Sequence, residues 1–242
     1  MKVIDAFWEK RNLEVDTIEV SIEVNDSKEE VREALSQIKA EYIVIKVPST
    51  RADLMFLLNS MGYTFIEGSI HLTHNLKRME LLGIQKRLVD QVSYEEMNGE
   101  DIQQLYSEIR KGIFTTDRIY LDQHFTKEQA YNRYINWIND EIVKGTEVYK
   151  LQYKGEAFGF FTFKDIGNDV FYPFLAGVYM DYRNTGLGIA FNYKPLCEAV
   201  NRKGKLISTY ISTNNINAIR MHSIMGYQFD EVSYVCIKHL KY

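Results

Sequence analysis

The junction that most restricts this chain runs from the apolar stretch around Val178 and Met180 into Arg183-x-x-Gly186-x-Gly188, with Asn184, Thr185 and Leu187 in between. It reads as a strand entering a tight turn and then a helix. Glycines let main-chain N–H groups approach an anion closely, and the first turn of a helix offers unpaired donors carrying partial positive charge. Arg183 adds a charge-assisted contact. The pattern therefore predicts a pyrophosphate cradle over 183–188, with Val178 and Met180 leading into it and the amides of Asn184, Thr185 and Leu187 contributing. A dinucleotide fold is excluded, because Phe191 stands where the third glycine of Gly-x-Gly-x-x-Gly belongs.

A second segment follows in the right order. The apolar run 206–211 leads into Asn215-x-x-Ala218-x-x-x-His222-x-x-x-Gly226-Tyr227. Together the two segments resemble the GCN5-related N-acetyltransferase (GNAT) superfamily. In that family the first motif holds the pyrophosphate of acetyl-coenzyme A, and the second carries a cofactor-arm contact and a tyrosine acid. The resemblance implies an α/β (α+β) GNAT fold, a mixed central sheet flanked by helices, with acetyl-CoA as co-substrate and no metal. It assigns Asn215 to the pantetheine arm, although Asn214 and Asn217 stand beside it and asparagines also cap helices. At the family's tyrosine position this chain has His222, which is either the general acid or a packed ring beside some other proton source.

Bulk properties agree. The chain has 242 residues, 45% of them hydrophobic, a net charge of −4 and a pI near 5.8. That balance argues against a nucleic-acid surface. Cys197 and Cys236 sit in apolar segments and read as free thiols. With no signal-peptide or membrane-length apolar run, a cytoplasmic protein without a membrane partner is expected.

Along the chain, period-two alternation over 17–24 predicts a half-buried strand. Val31, Ala34, Leu35 and Ile38 then mark an amphipathic helix, 42–47 a strand ended by Pro48, and a further helix runs to about Ser60. Met61-Gly-Tyr-Thr-Phe-Ile-Glu67, with Gly62 as left-handed terminator, returns near the C-terminus as Met225-Gly-Tyr-Gln-Phe-Asp-Glu231. This echo predicts a degenerate, GNAT-like N-terminal domain over 1–80, acting as scaffold, and a catalytic domain over 81–242. In the second half we expect a strand near 85–92, helices near 99–111 and around 130–138, and strands at 147–153, 157–164 and 170–180. Turns fall at 154–156 and 166–169. A helix from Gly186 should be kinked at Pro195.

A finer likeness rests on Phe114-Thr-Thr-Asp-Arg118, on Tyr131-x-x-Tyr134-x-x-Trp137-Ile138 and on 58–69, which resemble the dTDP-fucosamine acetyltransferases. This implies a nucleotide-linked amino sugar as acceptor, with Arg118 meeting its phosphates and Tyr120, Tyr131 or Tyr134 stacking a ring. Tyr131, Trp137 and Ile138 also fit a helix core. Other acceptors for such a site are a peptide N-terminus, a polyamine or an aminoglycoside. A non-catalytic acyl-CoA-binding module is the rival from another class, and a homodimer is compatible with all of these. No base is obvious: Asp117, Asp122 and His124 read as capping or solvated side chains, leaving bulk water to take the amine proton.

Overall fold

The computed structural model describes residues 1–77 and 79–240. Among the described residues, eleven strands form one sheet. In chain order the strands are β1 (Lys2–Asp5), β2 (Thr17–Ser21), β3 (Tyr42–Pro48), β4 (Thr64–His74), β5 (Val92–Glu96), β6 (Glu147–Tyr153), β7 (Glu156–Asp165), β8 (Val170–Tyr172), β9 (Ala176–Val178), β10 (Leu206–Ser212) and β11 (Gln228–His239). Their spatial order is β1-β2-β3-β11-β4-β10-β8-β7-β6-β5, with β9 paired to β7 off this path. The continuous apolar run of β3 is buried on both faces, as an interior strand requires.

Helices cover both faces. They are α1 (Phe7–Leu13), α2 (Lys28–Gln37), α3 (Ala52–Ser60), α4 (Gly83–Asp90), α5 (Gly99–Arg110), α6 (Arg118–Leu121), α7 (Lys127–Val143), α8 (Gly188–Asn201) and α9 (Ile216–Ile224). Alternation along β3 sorts the layers: Ile43, Ile45 and Val47 pack with Val31, Leu35, Leu54 and Leu58 of α2 and α3, whereas Tyr42 and Val44 pack with Leu13, Ile119 and Ala130 of α1, α6 and α7. In β7, Phe160 likewise meets α5 and α7 while Phe161 meets α8. Thus α1, α5, α6 and α7 share one face and α2, α3 and α8 the other.

The echoed segments occupy equivalent places. Gly62 (φ +82°) ends α3 and Gly226 (φ +79°) ends α9, each in the left-handed region that favours glycine. The strands that follow, β4 and β11, pair antiparallel, with Thr73 opposite Gln228 and Thr64 opposite Ile237. Each then pairs with a strand of the other half: β4 with β10, and β11 with β3. The two halves therefore exchange a strand reciprocally, and the arrangement antiparallel–parallel–antiparallel on one side (β1-β2-β3-β11) is repeated on the other (β7-β8-β10-β4).

Two expectations need correction. Residues 83–90 are helix α4, not the start of a strand: Gln85 accepts from the Leu82 N–H at 2.9 Å, Lys86 pairs with Asp90 one turn on, and Val89 is buried. The strand expected over 170–180 is two short strands, because Pro173 interrupts the ladder, and 180–182 is a 3₁₀ turn. The N-terminal α1 packs against α7 through Arg11 and Asp140 (2.7 Å). Helix α8 continues through Pro195. Both turns hold, with Lys154 (φ +53°) and Gly155 (φ +84°) closing the first. Cys197 and Cys236 are free. No described helix is long and apolar enough to cross a membrane.

Candidate active site

The break at Pro173 builds the site. Strand β8 pairs with β10 through only two positions, Val170–Leu206 and Phe171–Ile207. One further tie, from the Thr209 hydroxyl to the Pro173 carbonyl (2.9 Å), closes the apex. Beyond it β9 stays with β7 while β10 turns to β4, so the sheet opens between them. The Tyr179 N–H bonds to Phe158 and the Thr162 N–H to Leu175, and alternation in an antiparallel ladder turns the amides of Ala176 and Val178 away from β7, into the gap. Gly159 permits this placement, since a Cβ there would meet the Gly177 carbonyl oxygen at 2.5 Å.

Below the gap the chain makes the turn 183–187. Asn184 (φ +65°) and Gly186 (φ +83°) are left-handed, and α8 starts at Gly188 with its first-turn N–H groups beside them. The Thr185 hydroxyl bonds to the Tyr182 carbonyl (2.7 Å), and Leu187 anchors the turn in the core. Backbone amides and a helix N-terminus thus form a concave, anion-accepting surface of the kind a coenzyme diphosphate fits. Arg183 lines the cleft, and one guanidinium nitrogen donates to the carbonyls of Gly112 and Ile113 at 3.1 and 3.2 Å, pinning the turn to the end of α5. Met180 lies in the 3₁₀ turn, and neither it nor Thr185 or Leu187 lines the cleft.

On the opposite wall, Asn215 caps α9 by accepting from the Ala218 N–H (3.0 Å), and also lines the cleft. His222 is buried, with Nδ1 2.8 Å from the Ala218 carbonyl, and burial holds its pKa below the ordinary histidine value. Tyr227 packs edge-on against it, ring centres 4.7 Å apart. Both line the cleft, and the Tyr227 hydroxyl, whose pKa burial raises, has no hydrogen-bond partner among the described residues.

The gap opens into a cleft of about 2660 Å³ that runs over the sheet beneath α1 and α7. Its aromatic walls include Trp8, Phe114, Trp137, Tyr172, Phe174 and Tyr210. Arg118 lies within it, but its guanidinium is taken by Glu9 (3.3 Å) and Glu19 (2.5 Å), which join the two halves of the chain. Tyr120 is outside it, under the Lys127 ammonium at 3.5 Å. Asp117 caps α6 and accepts from the Tyr134 hydroxyl, and Asp122 joins His124 and His239 away from the cleft, as capping roles implied.

Sequence reasoning missed Glu67. It stands on β4, buried in the cleft, faced by the Ser212 hydroxyl and the main chain of Arg118, and burial raises its pKa. Its place in the echoed Met-Gly-Tyr-x-Phe-x-Glu segment was the available signal, but the strand exchange that brings β4 beside β10 is invisible in the sequence.

No protein-family model matches the sequence, and no curated protein matches it either. Solved structures do match in fold. A GCN5-related N-acetyltransferase from Sphaerobacter thermophilus superposes with TM-score 0.58 at 12% identity, covering 88% of this chain and 65% of that one, so the present chain spans just under two thirds of its length. A GCN5-related N-acetyltransferase from Kribbella flavida gives TM-score 0.54 at 15% identity over 92% and 81% of the two chains. A tandem GNAT protein from the clavulanic acid biosynthesis pathway gives 0.53 at 13% identity over 86% and 67%. The chain has the GNAT fold.

Proposed function

We propose that the protein is an acetyl-CoA-dependent N-acetyltransferase that acetylates a primary amine on a small molecule. The observation that carries this reading is the parting of β9 from β10 directly above the turn 183–188, with the amides of Ala176 and Val178 turned into the opening. Acetyl-CoA would supply a thioester carbonyl there. Amides of β9 then polarise that carbonyl, and the turn 184–188 holds the diphosphate. Asn215 and the α9 wall orient the pantetheine arm.

Glu67 takes the proton of the incoming ammonium. A buried carboxyl with a raised pKa is suited to that transfer near neutral pH. On the α9 side, Tyr227 donates to the departing thiolate, because its phenol stays protonated at neutral pH and its hydroxyl has no partner among the described residues. His222 is the alternative donor, but its Nδ1–H is committed to Ala218 and its ring is neutral.

For the acceptor we favour a nucleotide-linked amino sugar: Trp137 and Phe174, with ring centres 4.7 Å apart, and the neighbouring Tyr172 offer flat apolar surfaces for a sugar or base. Free-thiol release from acetyl-CoA, measured against a panel of amines that includes such sugars, tests the reading. Coenzyme A binding with no thiol release from any amine would replace it with an acyl-CoA-binding module.

A further inference from the structure

Across the floor of the cleft, Ser21, Lys46, Val235 and Glu67 stand in one row on four neighbouring strands: Ser21 is in register with Lys46, and Val235 with both Lys46 and Glu67. Lys46 and Glu67 are therefore two strand spacings apart, on the order of 10 Å. Both line the cleft. The base we assign marks one end of the row, and the other end carries positive charge.

Several cationic donors at that end are left unused by the described residues. Arg118 and Arg133 share the buried Glu9, Arg118 also takes Glu19, and Lys46 forms no ion pair with any described residue. Glu67 faces Lys46 and Arg118 as well, but forms no ion pair with either among the described residues. Asp117 also faces Arg133 but is taken up by the α6 N-terminus and the Tyr134 hydroxyl. Arg133 donates to Glu9 through Nε, and its terminal nitrogens have no partner among the described residues. The Nε of Arg118 is buried without a partner. Burial lowers the pKa of Lys46, with Glu19 acting against it from a distance too great for an ion pair.

We propose that Lys46 and Arg133, backed by Arg118, form an anion subsite that receives a phosphate or carboxylate borne by the acceptor on the order of 10 Å from its amine. The inference rests on the reading of the cleft as an amine-acetylating site. It makes the acceptor bipolar, its ammonium at Glu67 and its anion at Lys46, and it gives the N-terminal half a part in substrate choice. Cationic donors that the protein leaves unpaired at Lys46, Arg133 and Arg118 favour an anion, since charge-assisted hydrogen bonds outweigh neutral ones.

The test is titration of inorganic pyrophosphate, and separately of malonate, into the full chain saturated with coenzyme A, so that the turn 183–188 is already filled. Binding of either anion that weakens about 10- to 100-fold in Lys46→Met, and is kept in Lys46→Arg, supports the subsite. Preference for pyrophosphate identifies a phosphate-bearing acceptor, and preference for malonate a carboxylate-bearing one. No binding of either, or equal binding by wild type and K46M, overturns it; K46Q gives the same comparison if K46M does not fold. Anion binding together with failure to acetylate every amine would sink the transferase reading while leaving the subsite standing.

Discussion

The Nδ1 atom of His222 lies 2.8 Å from the carbonyl oxygen of Ala218, one turn earlier in α9. A carbonyl only accepts, so the ring proton sits on Nδ1 and the lone pair on Nε2. Burial holds the ring neutral below the ordinary histidine value of 6.5. In the unfolded chain the same ring takes up a proton more readily, so the unfolded state binds more protons as the medium is acidified. This contribution to stability is present above about pH 6.5 and is lost as pH falls through the lower, folded value. Urea unfolding between about pH 7.5 and pH 5 should therefore show wild type losing stability faster than His222→Gln. Parallel losses would contradict the assignment.

The same tautomer bears on the proton donor. Tyr227→Phe keeps the ring packed against His222 and removes only the hydroxyl. We expect kcat to fall about 10²-fold or more, with coenzyme A affinity little changed, because a positioned acid contributes on that scale. His222→Gln should cost less than about tenfold, under a general acid's share. If the order of the two losses is reversed, the imidazole is the donor after all.

Glu67→Gln preserves shape and removes the base. Thiol release should fall by about 10²- to 10⁴-fold. In wild type, activity should decline on the acid side with a midpoint above the ordinary glutamate value of 4.5, since burial raises this carboxyl's pKa and only its deprotonated form accepts. The acid limb should vanish in the variant. A wild-type profile that stays flat down to pH 5 would be incompatible with Glu67 in this role.

Much of this was legible in the chain itself. Gly186 and Gly188 after an apolar run, followed by the Asn215–Tyr227 segment, gave the turn, the helix and the superfamily fold, because tight turns and helix starts are written in local residue types. Gly62 and Gly226 gave the repeated joint for the same reason. Long-range pairings were not legible. Arg118 looked like a ligand for phosphate, but its partners Glu9 and Glu19 lie about a hundred residues away in sequence, in a stretch with no motif. Arg183 was read as a phosphate contact for its spacing, and its bonds to Gly112 and Ile113 depend on where α5 ends. Helix α4 was taken for strand because its apolar residues are few and clustered.

Gly159 is the residue that sets the width of the opening. A methyl group there would overlap the Gly177 carbonyl at 2.5 Å and the Val178 Cα at 3.3 Å, both of them backbone atoms that cannot rotate away. Gly159→Ala must push β9 from β7, toward the gap. Overpacking of this kind costs about 1–3 kcal/mol. Both the melting temperature and coenzyme A affinity should drop together, measurable by calorimetry. A variant of normal stability and affinity would show that β9 yields freely and does not position the cofactor's carbonyl.

The exchanged strands make a prediction about the halves. In the whole chain β4 lies between β10 and β11, and β11 lies between β4 and β3. A fragment of residues 81–242 would leave the length of β10 facing β4, and both sides of β11, without ladder partners. Long unpaired edges with apolar residues such as Ile211, Val235 and Ile237 promote association between chains. Expressed alone, that fragment should aggregate or lack dispersed amide resonances, although it contains the whole turn 183–188 and the α9 segment. Adding a separately produced 1–80 fragment should restore a folded complex by supplying β3 and β4. Should 81–242 fold as a monomer with full coenzyme A affinity, the exchange is dispensable and the N-terminal half is an appendage to a self-sufficient domain.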